Sequence, residues 1–186
     1  DENLGGILDF NKEQARHNLL LGYYDALKIF KDLRGRKYYV ESTDDEELFM
    51  NFLLAPGEQS ITRLGRTLGL RGIPYRRLMF EHIIPRLITL LDLEKECSYE
   101  DLVIAILEYI ALEYELNRFK VYSFESFLDE IRKALNGRPP FGSEDNAKLP
   151  SFVRYSDVLS RAVKDRMLHE IIRELFGEYL QKDWSH

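Results

Sequence analysis

The chain has 186 residues, of which 45% are hydrophobic and 12% aromatic, with only six prolines. This composition excludes a disordered tail, because it provides enough apolar surface for a folded core. No apolar run approaches the ~20 residues of a membrane-spanning helix, so we expect no membrane partner. The single cysteine, Cys97, cannot form an internal disulfide, and the first residues lack a secretory pattern. We therefore expect a cytoplasmic protein.

The net charge of −6 hides a local excess of positive charge in residues 60–91, hereafter the basic segment. It contains six arginines and one acid, Glu81, and so carries +5, which leaves −11 for the rest of the chain. All its cations are arginine, whose planar group suits phosphate oxygens or carboxylates, whereas solubilising surfaces usually include lysine. The six are Arg63, Arg66, Arg71, Arg76, Arg77 and Arg86.

In chain order, the first predicted element is a helix that begins near Asp9 or Asn11 and runs to about Leu33, where Gly35 ends it. Its apolar residues recur at steps of three or four. They are Ala15, Leu19, Tyr23, Leu27 and Phe30. Residues 36–41 favour extended backbone and predict one short strand, for which no partner strand is evident.

A second helix is predicted to start at a capping box of Thr43 and Glu46 and to end before Pro56 and Gly57. One interpretation of the acidic run at 44–47 is a cation-binding site. Carboxylates in a first helical turn complement the helix dipole, however, and this is the simpler interpretation.

The basic segment predicts two helices joined by a turn. Ser60 can cap a helix over residues 61–68, and glycines follow its end. Pro74 suits the first position of the next helix, because its fixed φ fits there and its missing N–H is not needed. Pro85 then predicts a kink or break within that second helix.

The second half of the chain predicts three more helices. Ser98 and Asp101 form a capping box before a strongly apolar helix that runs to about Arg118 and has neighbours on two sides. Its exposed side is marked by Glu108, Glu113 and Glu115. Another helix covers residues 123–135 and ends at Gly137, and the last keeps an apolar seam with a four-residue repeat.

The predicted fold is all-α, a compact bundle of six or seven helices with a helix-turn-helix-like pair in the middle and at most one short strand. Residues 1–136 form the helical core domain that contains the basic segment. Residues 137–150 form a loop, and residues 151–186 contain a C-terminal helix that packs on the core or on a partner.

No set of residues forms a recognisable active site. The histidines, His17, His82, His169 and His186, lack the H-E-x-x-H or a comparable ligand spacing, so we expect no metal and no other cofactor. Cys97 has no histidine near it in sequence to act as a base and is interpreted as a structural thiol. A catalytic site built from carboxylates distant in sequence stays open as an alternative to the non-enzymatic protein that we expect.

The basic segment resembles a helix-turn-helix. A short helix, a glycine-containing turn and a second helix that opens with Tyr75, Arg76 and Arg77 follow the order of that motif. The turn before Pro74 is longer than in the family, and Tyr75 stands where a β-branched core residue is usual. The resemblance implies that arginines of the first turn reach base edges or phosphates, while the earlier arginines contact the backbone.

Residues 71–77, Arg-Gly-Ile-Pro-Tyr-Arg-Arg, followed by helices, carry a second resemblance. They resemble, without a specific motif, the helical small-subunit modules of CRISPR ribonucleoprotein effectors. Such modules line up along guide RNA or displaced DNA, so the resemblance implies a nucleic acid and a larger complex.

Two functions follow from these patterns. The first is a non-enzymatic protein that binds DNA or RNA through the six arginines, as a subunit of a larger complex. The second is a helical assembly subunit, as in a CRISPR effector, whose last helix at residues 156–180 binds a protein partner or a second copy. A rival interpretation pairs the arginines with the surplus carboxylates of the chain. The choice between DNA and RNA and the oligomeric state stay open.

Overall fold

The computed structural model describes residues 12–136 and 161–181. Within them the chain forms a mostly helical bundle with one two-stranded parallel sheet, which confirms the predicted fold class. The helices are α1 (Lys12–Lys31), α2 (Glu46–Leu54), α3 (Gly57–Thr67), α4 (75–90), α5 (Tyr99–Glu113), α6 (Phe124–Leu135) and α7 (Arg161–Gln181). The strands are β1 (Tyr39–Val40) and β2 (Val121–Tyr122). The predicted start of the first helix, the loop at 137–150 and His186 lie outside the described residues.

The core is centred on α5, as its two apolar sides predict. Residues 102–108 of this helix are all buried, and α2 and α6 pack against it. Helix α7 packs against α3, α4 and α6, and its Phe176 stacks on Phe52 of α2 at 5.4 Å between ring centroids. The apolar seam of α7 therefore packs on the core. Of the two alternatives left by the sequence, core or partner, this is the first.

Side-chain caps fix the starts of α5 and α2, although one predicted cap is wrong. At α5 the predicted box forms, because Ser98 Oγ accepts the N–H of Asp101 at 3.0 Å and the Ser98 N–H donates to the Asp101 carboxylate. At α2 the cap is Asp45, whose Oδ1 accepts the N–H of Leu48 at 2.9 Å, and not Thr43. The acidic run thus caps a helix, as the dipole argument expects.

Pro56 and Gly57 end α2 as predicted, but the predicted cap at Ser60 and the predicted break at Pro85 are not observed. These two residues also start α3, so Ser60 lies inside α3 and is not its cap. Pro85 does not break α4, because the preceding turn widens into a π-helical stretch, Leu78–Ile83. The wider turn reduces the clash between the proline ring and the carbonyl of the preceding turn.

Strand β1 has a partner that the sequence did not reveal. Tyr39 lies opposite Val121 and Val40 opposite Tyr122 in parallel register. Strand β2 is only two residues long, so it carries no alternation that a pattern search could detect. The strand pair joins the connection between α1 and α2 to the connection between α5 and α6.

Two buried carboxylates on α5 hold the connection between α1 and α2. Glu108 Oε1 accepts the backbone N–H groups of all three residues at 36–38, at 2.7 to 2.8 Å. Glu100 accepts the N–H of Thr43 at 2.9 Å and the hydroxyl of Ser42 at 2.8 Å. The prediction that Glu108 marks an exposed side is wrong, because this side chain satisfies a backbone turn that the helical pattern cannot show.

Helix α1 lies on the surface and is held along one side. The Tyr24 hydroxyl donates to the carbonyl of Phe119 at 2.8 Å, and the Tyr39 hydroxyl donates to Asp25 at 3.0 Å. Lys28 donates to the carbonyl of Gly35. Large apolar side chains on the opposite side of α1 are exposed. The apolar pattern that predicted this helix therefore does not join the core.

Candidate nucleic-acid interface

The basic segment folds into two helices that touch closely. A Cβ atom at Gly65 of α3 would lie 2.2 Å from Cδ2 of Leu78 in α4, so the absence of a side chain permits this approach. Gly69 has a φ of +81°, and the N–H of Leu70 donates to the carbonyl of Gly65 at 2.8 Å, which closes the end of α3. The predicted helix-turn-helix order is present, and its helices are fixed against each other.

Arg63 faces the last helix. Its Nε lies 3.2 Å from a carboxylate oxygen of Glu174, and its Nη2 lies 3.8 Å from Glu178. Both acids belong to α7, so Arg63 links α3 to α7 and its charge is already matched. The signal in the sequence was an acid pair spaced by four residues, but nothing local showed that this pair meets α3.

Arg77 is also matched within the chain. Its Nε and Nη2 each donate to one carboxylate oxygen of Glu81 at 2.9 Å, one helical turn later. These hydrogen bonds raise the pKa of Arg77 and lower the pKa of Glu81. The four-residue spacing was visible in the sequence and predicts this pair. Because both side chains are exposed, the pair adds little stability, but it reduces the free positive charge.

The other four arginines make no ion pair with any described residue. Arg66, Arg71 and Arg76 are exposed, and Arg86 is half-buried. Arg76 Nε donates to the Tyr75 hydroxyl at 3.2 Å, and its guanidinium carbon lies 5.9 Å from the ring centroid. Tyr75, which departs from the helix-turn-helix pattern, thus orients Arg76 and leaves its charge unmatched.

A polar cavity lies beside α3. It has a volume of about 700 Å³ and is open to solvent. Its lining includes the hydroxyls of Ser60 and Thr62 and the unmatched Arg66, together with the Arg63–Glu178 pair. Hydroxyls and an arginine are common phosphate-contacting groups, whereas Glu178 on the same wall would repel a phosphate.

The cysteine and two of the histidines lie in separate environments within the described ranges. Within the described part of the chain, no three His, Cys, Asp or Glu side chains are grouped to hold a metal ion. Burial raises the pKa of the Cys97 thiol, and the nearby Asp101 raises it further, so this thiol is not activated. His169 lies 3.6 Å from Glu113, in a small cavity between α5 and α7. His17 packs edge-on against Phe119.

Comparison with protein-family models, curated proteins and solved structures gives no match for this chain. Among the described residues, no helix is long and apolar enough to cross a lipid bilayer. The functional argument therefore rests on the distribution of charge over α3, the turn and α4.

Proposed function

We propose that the protein binds nucleic acid without catalysing a reaction, through the arginines of the basic segment that have no acidic partner among the described residues. One observation carries the proposal. Arg66, Arg71 and Arg76 are exposed and make no ion pair with any described residue, although the rest of the chain carries a surplus of acids. Guanidinium groups in this state form charge-assisted hydrogen bonds to phosphate oxygens.

The six arginines then have different roles. Arg66, Arg71 and Arg76 contact phosphates, with Arg86 beside them as a half-buried contributor. Arg63 fixes α3 on α7, and Arg77 is held by Glu81. Phosphate contacts suit this surface better than base reading, because the π-helical stretch begins directly after the first turn of α4.

The test measures binding to labelled duplex DNA, single-stranded DNA and single-stranded RNA of one sequence by fluorescence anisotropy. The variant Arg71→Gln/Arg76→Gln removes two unmatched charges. We expect its affinity for the preferred nucleic acid to fall about ten- to thirtyfold, since each lost charge-assisted contact costs roughly 1 kcal/mol. The nucleic acid that wild type binds most tightly identifies the ligand class.

The matched control is Lys95→Gln/Lys133→Gln, which removes two exposed cations outside the basic segment. We expect its affinity to stay within about twofold of wild type, because these cations lie on other elements. Wild type that binds none of the three nucleic acids contradicts the proposal. Equal losses in the two double variants would also contradict it, because they would reflect net charge alone.

An assembly subunit is the second candidate function, in line with the resemblance of residues 71–77 to CRISPR small-subunit modules. The seam of α7 that first suggested it is buried in the core. The exposed apolar side of α1 now favours this role instead. For either function we propose a cytoplasmic location, because the single Cys97 fits a reducing compartment.

A further inference from the structure

The outer side of α1 exposes four large apolar side chains, hereafter the α1 stripe. Leu19 is 75% exposed, Tyr23 59%, Ile29 83% and Phe30 87%. At about 100° per residue, Leu19, Tyr23, Ala26 and Phe30 lie within one narrow arc of the helix, and Ile29 lies about 60° beyond one edge of it. The stripe is therefore continuous and is not a set of scattered surface residues.

Rotation of α1 to bury the stripe is opposed by contacts on its other side. Tyr24, Asp25 and Lys28 make the hydrogen bonds that hold α1 to Phe119, Tyr39 and Gly35. The Tyr24 ring also packs against the rings of Tyr39 and Phe119, at 5.0 and 5.9 Å between centroids. Burying the stripe against the described part of the chain would break these contacts, whereas a second molecule can cover it and leave them intact.

The area of the stripe suits one side of a dimer. With these exposed fractions, the four side chains present roughly 600 Å² of largely apolar surface, at the upper end of the largest patches on monomers. The smaller residues between them bring the face close to the ~800 Å² per partner of a standard stable interface. A face of this size matches a pairing of two folded copies.

We propose that the α1 stripe is the interface between two copies of this chain, paired through antiparallel α1 helices about a two-fold axis. The spacing of four, three and four residues from Leu19 to Phe30 is that of core positions in a coiled coil. In an antiparallel pair Leu19 faces the partner's Phe30, and Tyr23 faces the partner's Ala26. Because the two-fold axis repeats each of these contacts, the same stripe on each copy forms both halves of the interface.

Large residues meet small ones in this pairing. Tyr23 fills the space over the partner's Ala26, and Ile29 lies near the partner's Gly22. A Cβ atom at Gly22 would meet nothing within 4 Å, so the surface over this glycine has room for a partner side chain. Close approach of two helices over small residues increases the apolar area that each copy buries.

Sedimentation velocity of the full chain, from about 1 to 100 µM, tests this proposal at the concentrations where a standard-size interface forms. We expect the mass to rise from 22.0 kDa toward twice that value. Leu19→Asp and Phe30→Asp each place a charge in the interface and should weaken the dimer at least tenfold. Their helical content should be unchanged, because both side chains are exposed in the single chain.

The matched control is Gln14→Asp, which places the same charge at an exposed position on the side of α1 away from the Leu19–Phe30 arc. It should leave dimerisation unchanged. Wild type that stays monomeric over the whole range overturns the proposal. Binding of that monomer to phosphatidylcholine vesicles would identify a lipid surface as the occupant, and this result overturns it too.

Disulfide trapping tests the orientation. In a Cys97→Ser background, Leu19→Cys copies mixed with Phe30→Cys copies should form a mixed disulfide, while neither variant alone cross-links. Cross-links within each single variant indicate parallel helices and contradict the proposal. Arg71 and Arg76 lie in α4 and the turn before it, whereas the stripe lies on α1. Failure of nucleic-acid binding would therefore not affect the dimerisation result.

Discussion

At the scale of single residues, Glu108 organises the connection between α1 and β1. One carboxylate oxygen accepts three consecutive backbone N–H groups, which would otherwise be unpaired in a partly buried turn. Gly35 makes this approach possible, because its φ is +95° and a Cβ atom there would lie 2.6 Å from the same oxygen. The carboxylate at this position therefore holds the turn in place and requires a glycine at residue 35.

We predict that Glu108→Gln lowers the free energy of unfolding by about 1–3 kcal/mol, because neutral acceptors bind N–H groups more weakly than a carboxylate does. Urea denaturation followed by circular dichroism measures this loss. Glu96→Gln, at an exposed position, serves as the control and should change stability by less than about 0.5 kcal/mol. Equal stability of the two variants would show that the turn does not depend on the Glu108 charge.

At the scale of elements, the contact between α3 and α4 determines where the arginines stand. Gly65 faces Leu78, which is 1% exposed, so the two helices meet over a site with no spare volume. Arg66 lies on α3, Arg71 lies in the turn at residues 68–74, and Arg76 lies in the first turn of α4. A change in this helix contact would alter the spacing of these three exposed arginines.

We predict that Gly65→Ala destabilises the protein by up to about 2 kcal/mol. Alanine gains about 1 kcal/mol of helix propensity, but the overpacking against Leu78 costs about 1–3 kcal/mol and prevails. Gly177→Ala in α7 is the control, because its Cβ atom would meet only Arg173 Cγ at 3.9 Å, so the propensity gain should stabilise it. Thermal unfolding of both variants compares them, and a stabilised Gly65→Ala would contradict the close helix contact.

At the scale of the whole molecule, the features predicted correctly from the sequence are those that depend on residues close together in the chain. The Ser98–Asp101 box and the helical fold class are confirmed, because caps and periodicity depend on neighbours in sequence. The burial of Glu108, the Arg63–Glu174 pair and the partner of β1 join residues far apart in sequence, so no local pattern showed them. The unmatched state of the other arginines likewise depends on tertiary placement.

Buried tyrosines make the folded state sensitive to alkaline pH. Burial is the largest cause that raises the pKa of Tyr38 and of Tyr39 to about 12, and it raises the pKa of Tyr122 further. The unfolded chain releases these protons near pH 10, whereas the folded chain retains them. The contribution of these tyrosines to stability is therefore fully present below about pH 10 and is lost as pH rises through their raised pKa values, by on the order of 1 kcal/mol per pH unit for each tyrosine.

Urea midpoints at pH 8 and pH 11 check this prediction, together with tyrosinate absorbance at 295 nm. We expect a clearly lower midpoint at pH 11, and phenol ionisation that accompanies unfolding. Tyr39→Phe should reduce the difference between the two midpoints, because one titrating group is removed. Identical midpoints at the two pH values would contradict the role of the buried phenols.

The salt dependence of nucleic-acid affinity tests the central claim most directly, because it counts the phosphates that the protein neutralises. For the nucleic acid that wild type binds most tightly, the account predicts a slope of log K against log salt of about −3 to −4, from the four arginines that have no acidic partner among the described residues. The slope should become shallower by about 2 in Arg71→Gln/Arg76→Gln and should not change in Lys95→Gln/Lys133→Gln. A slope near zero, or one that the arginine variant leaves unchanged, would contradict the account.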